Sequence, residues 1–253
     1  LNIALGCLGR STSGRRLALN LATAFLPAAV IGLLWTVVAL PDTQYSARDE
    51  RYARAQTQWV VDNLRAERIA FLSHVGDVVQ NSDRPAEWEY MDGAMSLLDG
   101  AVPYATIPGD HDYLPRDDGS PSIQQYSEYF GPDRYRNRDW YGGSGPENGE
   151  NLSTYQLFSA GGYDFLHLAL EWPAPGTVTD PTTPLGWAQT VLEQYPDRPT
   201  ILTTHSYLSA RDEARTTVAD AVSERGGDQR GWITAEAEVG GLSLVGIDGL
   251  TAS

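Results

Sequence analysis

Short apolar runs alternate with longer stretches of helical period along most of the chain. Trp35–Leu40 predicts a buried strand. Asp49–Arg68 predicts a helix, with Tyr52, Ala55, Trp59 and Ala66 recurring near one face. Ile69–Val75 predicts a second strand that ends in Gly76-Asp77. Pro85–Leu98 predicts a helix: Pro85 suits a first turn, and Trp88, Met91, Met95 and Leu98 form an apolar stripe. Val102–Ile107 predicts a third strand, stopped by Pro108-Gly109. A loop-rich insertion, Tyr113–Asn151, follows, with one short helix near Ser122–Phe130. Thr154–Phe158 and Tyr163–Leu170 flank Ala160-Gly161-Gly162 and predict a hairpin. Pro184–Tyr195 predicts a last helix and Thr200–Thr204 a further strand, and Gly240–Val245 reads as an apolar strand segment. Strand–helix alternation implies a parallel sheet in the first half, and the hairpin adds antiparallel strands. The fold class is therefore α/β, a mixed-sheet sandwich flanked by helices.

Charge divides the chain. Arg10, Arg15 and Arg16 stand before Asp42 with no acid among them, and all 33 acids follow. Leu17–Leu40 carries no charged side chain. Two arginines before an apolar, small-residue stretch predict an export leader over residues 1–34, with an uncleaved membrane anchor as the alternative. Residues 35–253 are read as a single domain whose C-terminal part is atypical or truncated. The expected location is secreted or in the cell envelope. The net charge of −15 disfavours nucleic acid as a partner, and no nucleic-acid-binding module is evident. Any membrane contact is expected only through the N-terminal segment. Every basic residue is Arg, which excludes a Lys nucleophile and a Gly-x-x-x-x-Gly-Lys phosphate loop. One Cys excludes a multi-thiolate zinc site within the chain. There is no Gly-x-Ser-x-Gly elbow.

The candidate chemistry gathers where predicted strands end. Asp42 and Gln44 follow the first strand, Asp77 the second, and Asp110-His111-Asp112 the third, while His205 closes a later one. Open α/β sheets bind ligands at the carboxyl ends of their strands, and hard oxygens with imidazoles suit a divalent metal. His74 and His167 lie within apolar strands and read as buried structural residues.

The ordered set Asp42-Thr43-Gln44, Gly76-Asp77, Gly109-Asp110-His111-Asp112 and Thr204-His205-Ser206 resembles the calcineurin-like metallophosphoesterases, in the subgroup with Asp-x-Gln as first motif. The resemblance implies a four-layer sandwich and a phosphoester hydrolase acting on a small phosphorylated substrate. It implies two divalent ions (Mn, Fe or Zn) that activate a water. Asp42 and Gln44 would bind the first ion, Asp77 would bridge both, and Asp110 and His205 would bind the second. His111 would act on the leaving oxygen, with Asp112 orienting its ring. Two departures stand out. Asp110 replaces the family's usual Asn, and no Gly-His-x-His motif follows His205. Natural loss, truncation, or a reading-frame slip after about Gln229 would each explain the second. The alternative is a non-catalytic or degenerate domain of the same fold. A ligand- or carbohydrate-binding protein using the aromatic insertion is a third reading.

Overall fold

The computed structural model describes residues 2–5, 35–147, 150–206, 231–239 and 242–250. The predicted leader falls largely on residues outside this set. A first sheet holds β1 (Asn2–Leu5), β2 (Thr36–Leu40), β3 (Ile69–His74) and β4 (Tyr104–Ala105), in that order and all parallel. The second sheet has β7 (Tyr141–Gly145), β8 (Ser153–Ala160), β9 (Tyr163–Ala169), β10 (Thr200–Ser206), β11 (Gly231–Val239) and β12 (Leu242–Leu250), again in sequence order. It is mixed: β9, β10 and β11 run parallel, and the remaining pairs are antiparallel. A small hairpin, β5 (Leu114–Pro115) with β6 (Pro121–Ser122), lies in the insertion.

The two sheets face each other. Val37, Phe71, Ala105 and Ile107 of the first meet Phe158, Phe165, Ala169 and Ile201 of the second, and Phe71 stacks on Phe158 at 4.7 Å between centroids. The outer face of the first sheet is covered by α1 (Glu50–Asn63), α2 (Pro85–Met95) and α3 (Gln124–Phe130). The outer face of the second is covered by α4 (Pro184–Gln194), through Leu185, Ala188, Val191 and Leu192. This is the expected helix–sheet–sheet–helix stack, and it buries β2, β3 and most of β9 on both faces, as β-rich apolar strands require. Asp49 caps α1 through the Arg51 amide, and Thr183 caps α4 through that of Gly186.

Some elements depart from the sequence reading. The first helix stops at Asn63 rather than Arg68. The third strand shortens to Tyr104–Ala105, because Pro103 and Pro108 lack the amide protons that would extend its ladder. β7 escaped notice because three of its five residues are Gly. Gly142 and Gly145 are needed there: a Cβ at Gly142 would lie 1.9 Å from the Tyr155 ring, and one at Gly145 would lie 2.0 Å from Trp187. The aromatic insertion is a packed element. Tyr126, Phe130 and Tyr135 are buried, Trp88 stacks on Tyr129, and Arg134 is bonded to Tyr104, Asp92 and the Tyr129 carbonyl. Packing consumes the faces of Tyr126, Phe130 and Tyr135, while Tyr129, Trp140 and Tyr141 are only partly buried.

A polar bridge crosses the dry interior between the sheets. Ser73 of β3 and Thr203 of β10 lie 2.7 Å apart at their hydroxyls, and His167 Nε2 approaches both, at 3.1 and 2.9 Å. His167 Nδ1 meets the Gln156 carbonyl oxygen at 2.6 Å. Burial holds this imidazole neutral, pushing its pKa down to about 3. One nitrogen then donates to Gln156 and the other accepts from a hydroxyl. The bridge fixes β10 against β3, and those two strands carry His205 and lead into Asp77.

Candidate metal centre

Loops after β2, β3 and β4 reach one end of the first sheet. The β10 strand of the opposite sheet brings His205 to the same place. The tight approach depends on glycine. Gly76 has φ +100°, and a Cβ on it would stand 2.6 Å from His205 Nδ1. At Gly109 a Cβ would stand 2.2 Å from Asp77 Oδ1. Asp77 itself sits at φ +50°, a left-handed conformation uncommon outside glycine that Asp tolerates better than most residues. The backbone is thus bent to bring its carboxylate inward.

The five expected ligands converge. Gln44 Nε2 lies 3.2 Å from Asp77 Oδ2 and also bonds Asp42 Oδ2. His205 Nε2 lies 3.1 Å from Asp110 Oδ1 and 3.6 Å from Asp77 Oδ1. Ligand atoms of Asp77, Asp110 and His205 all fall within 4.8 Å of one another, so these three could hold a metal ion. Two features fit a cation. The His205 Nδ1 is 2.9 Å from the Val75 carbonyl, which only accepts, so the proton sits on Nδ1. The Nε2 lone pair then faces two carboxylates, and that contact is favourable only with a shared cation or a second proton. In addition, Gln44 Oε1 is buried and accepts no hydrogen bond among the described residues. Rotation about the last side-chain bond turns this oxygen toward the same carboxylates, which a cation would make favourable.

The electrostatics point the same way. Burial, together with the nearby Asp42 and Asp110, pushes the Asp77 carboxyl up to about 6 despite His205. Its charge is costly there until a cation offsets it. Asp110, whose side chain is 55% exposed, is held below the usual carboxylate range by its hydrogen bond with His205. Burial lowers the pKa of His111, but the Gln80 carbonyl and the charges of Asp77, Asp110 and Asp42 outweigh that and raise it.

Asp112 does not orient the His111 ring. Neighbouring residues in the Asp110–Asp112 turn project to different sides, and Asp112 points into the interior. There its carboxyl accepts from the amides of Val78, Val79 and Gly109, at 3.1, 3.1 and 2.8 Å. It clamps the second loop to the third. Burial and Asp77 push its pKa up to about 7, against the pull of those three amides. The His111 ring is held instead by Gln80. Its backbone carbonyl lies 3.1 Å from Nδ1 and accepts the Nδ1–H. Its side-chain amide group lies beside the same nitrogen, where Oε1, otherwise unpartnered among the described residues, is the end that suits a protonated ring. The His111 amide donates to Asp77 Oδ1 at 2.9 Å.

Three further positioning groups were missed or under-read in the sequence. Gln80 was signalled only by being polar directly after Val78-Val79. Glu87 is buried at the start of α2 and accepts from the amides of Gln80 and Asn81 and from the Asn81 side chain. His74, read as a buried structural residue, accepts at Nδ1 from the Gly76 amide and meets Thr43 Oγ1 through Nε2. The Thr43 hydroxyl donates in turn to the Val78 carbonyl at 3.0 Å. His74 thus braces the first and second loops together, and burial holds it neutral with a pKa of about 3.

The chain is similar to several known proteins. A stretch of 179 residues, 69% of this chain, is 35% identical to "Uncharacterized protein YvnB" of Bacillus subtilis (strain 168), and spans 13% of that protein's length. A purple acid phosphatase, PPD1 from yellow lupin (Lupinus luteus) seeds, is similar over 69% of this chain and 31% of its own, at 16% identity and a TM-score of 0.40. GAP50, described as the anchor in the inner membrane complex of Plasmodium, is similar over 83% of this chain and 70% of its own, at 11% identity and a TM-score of 0.43. The family model for calcineurin-like phosphoesterase matches residues 36–235, and the chain belongs to that family.

Proposed function

We propose that this chain hydrolyses small phosphorylated substrates, using two divalent cations held by Asp42, Gln44, Asp77, Asp110 and His205. The observation that carries this reading is His205, with Nδ1–H committed to Val75 and Nε2 turned on Asp77 and Asp110. When bound, the cations would supply charge to polarise the phosphoryl group and to lower the pKa of the attacking water. The chain's own groups do the rest. Asp77 contacts both halves of the donor set, Gln44 on one side and His205 on the other. It is therefore assigned to both cations. Asp42 and Gln44 complete one position, and Asp110 and His205 the other. The acids around His111 favour its protonated form, and Gln80 fixes its Nδ1–H. Its Nε2–H is then available to the leaving oxygen.

The test is metal analysis of the purified chain with turnover of p-nitrophenyl phosphate and bis-p-nitrophenyl phosphate. Two ions per chain, with turnover abolished by a chelator, support the hydrolase. A chain that takes up no ion and turns over neither ester overturns it. A second reading, a cation-binding but non-catalytic domain, is favoured by the donor set itself, which has one imidazole against three carboxylates. Bound metal without turnover would select it.

A further inference from the structure

We infer that a groove bordered by the chain segments that continue from the loops after β2 and β3 binds a second anionic group of the substrate, so that diphosphate-type phosphoesters are preferred over single-phosphate ones. This rests on the phosphoesterase reading of the same site. The groove encloses about 450 Å³ and is lined by Arg48, Arg84, Ala86, Glu87 and Tyr90. Its two walls are continuous with the metal loops. Arg48 ends the Ser46–Arg48 turn, which follows Gln44, and the Ala47 amide bonds back to the Thr43 carbonyl. Arg84 stands before α2, in the loop that contains Gln80, and its amide bonds to the Asn81 carbonyl. The groove therefore opens at the carboxyl end of the parallel strands, where ligands of such sheets bind.

Its chemistry suits an anion. The Arg48 guanidinium lies 5.2 Å from the ring centre of Tyr45, a residue 68% exposed directly after Gln44. That contact holds the guanidinium over the loop. Arg84 stands a loose 3.8 Å from Glu87. Glu87 is the single acid lining the groove among the described residues, and its oxygens already accept from Gln80 and Asn81. Of the acids next along the chain, Asp49 is engaged with Arg51 at 2.6 Å and Glu50 with Arg54 at 4.0 Å, while Asp83 beside Arg84 is exposed to solvent. Two guanidinium forks against one carboxylate give the lining a positive balance in a chain of net charge −15. Phosphate oxygens match that fork geometry.

The experiment compares the metal-loaded wild type with the double variant Arg48→Gln/Arg84→Gln, on AMP and on ADP, reading phosphate release. The wild type should prefer ADP, and the double variant should lose at least about tenfold more kcat/KM on ADP than on AMP. Equal losses on the two nucleotides, or no wild-type preference for ADP, overturn the inference while leaving the phosphoesterase reading intact. If neither nucleotide nor p-nitrophenyl phosphate is turned over, that reading has failed instead. Calorimetry with inorganic pyrophosphate, on the full chain in chelator, then decides the groove alone. Binding that weakens at least about tenfold in the double variant supports it, and binding that is absent or unchanged by the substitutions overturns it.

Discussion

At the scale of single residues, the centre is organised around Asp77. Its carboxyl touches Gln44, His205 and the His111 amide, and its pKa is raised by burial among other acids. Asp77→Asn should therefore reduce bound metal to near zero, whereas Gln44→Ala should leave at least about one ion per chain, because Gln44 serves one position only. Metal analysis of the two variants checks this, and equal small losses would remove the bridging role. Asp110 adds negative charge where the proposed anionic substrate would arrive. Asp110→Asn should raise kcat/KM on p-nitrophenyl phosphate by roughly two- to tenfold while weakening metal affinity. A large loss would mean that the carboxylate is indispensable as a ligand. The identities of Asp42, Gln44, Asp77, Asp110 and His205 were legible in the sequence because each stands at or just past a strand end. The roles of Asp112, Gln80 and Glu87 were not. Which way a side chain turns from a short 3-10 turn is set by the loop packed against it, and that loop comes from another part of the chain.

At the scale of elements, the site depends on loops held together by backbone-directed bonds. Asp112 joins the second loop to the third, His74 and Thr43 join the first to the second, and Glu87 anchors the turn that carries Gln80. Removing the clamp in Asp112→Ala leaves three buried amides without an acceptor. It should cost about 3 kcal/mol of stability, with loss of metal. Gly109→Ala should act by crowding, since its Cβ would fall 2.2 Å from Asp77 Oδ1. A cost of about 1–3 kcal/mol and displaced metal are expected. Urea unfolding with parallel metal analysis measures both, and full metal occupancy in Gly109→Ala would show that the loops can yield. The glycines themselves were visible in the sequence. The atoms they make room for were not, because Asp77 and His205 are distant in the chain.

At the scale of the whole molecule, the two sheets are joined by a core that is apolar apart from one polar bridge. His167 and His74 are both buried and neutral, with folded pKa values of about 3 against an ordinary 6.5. Between those values the unfolded chain binds more protons than the folded one. The stabilisation is therefore complete above pH 6.5 and is lost as pH falls toward 3. Each imidazole contributes a slope of about 1.4 kcal/mol per pH unit in that window. Asp77 and Asp112, with pKa values raised to about 6 and about 7, bind protons in the folded state and oppose this slope. The readout is therefore a difference: in urea unfolding in chelator from pH 7 to pH 4, His167→Gln should lack one histidine's share of the fall. An unchanged slope in that variant would mean that His167 is not titrating.

The sequence by itself determined the alternation of strands and helices, the α/β class and the motifs that mark the family, because hydrophobic period and turn residues are local properties. Only the tertiary structure decided that the insertion is packed and that Asp112 faces a second loop. It alone put His205 from one sheet within reach of Asp77 and Asp110 from the other. Contacts between distant parts of the chain are set by how two buried surfaces fit, and no stretch of sequence contains both halves of that fit.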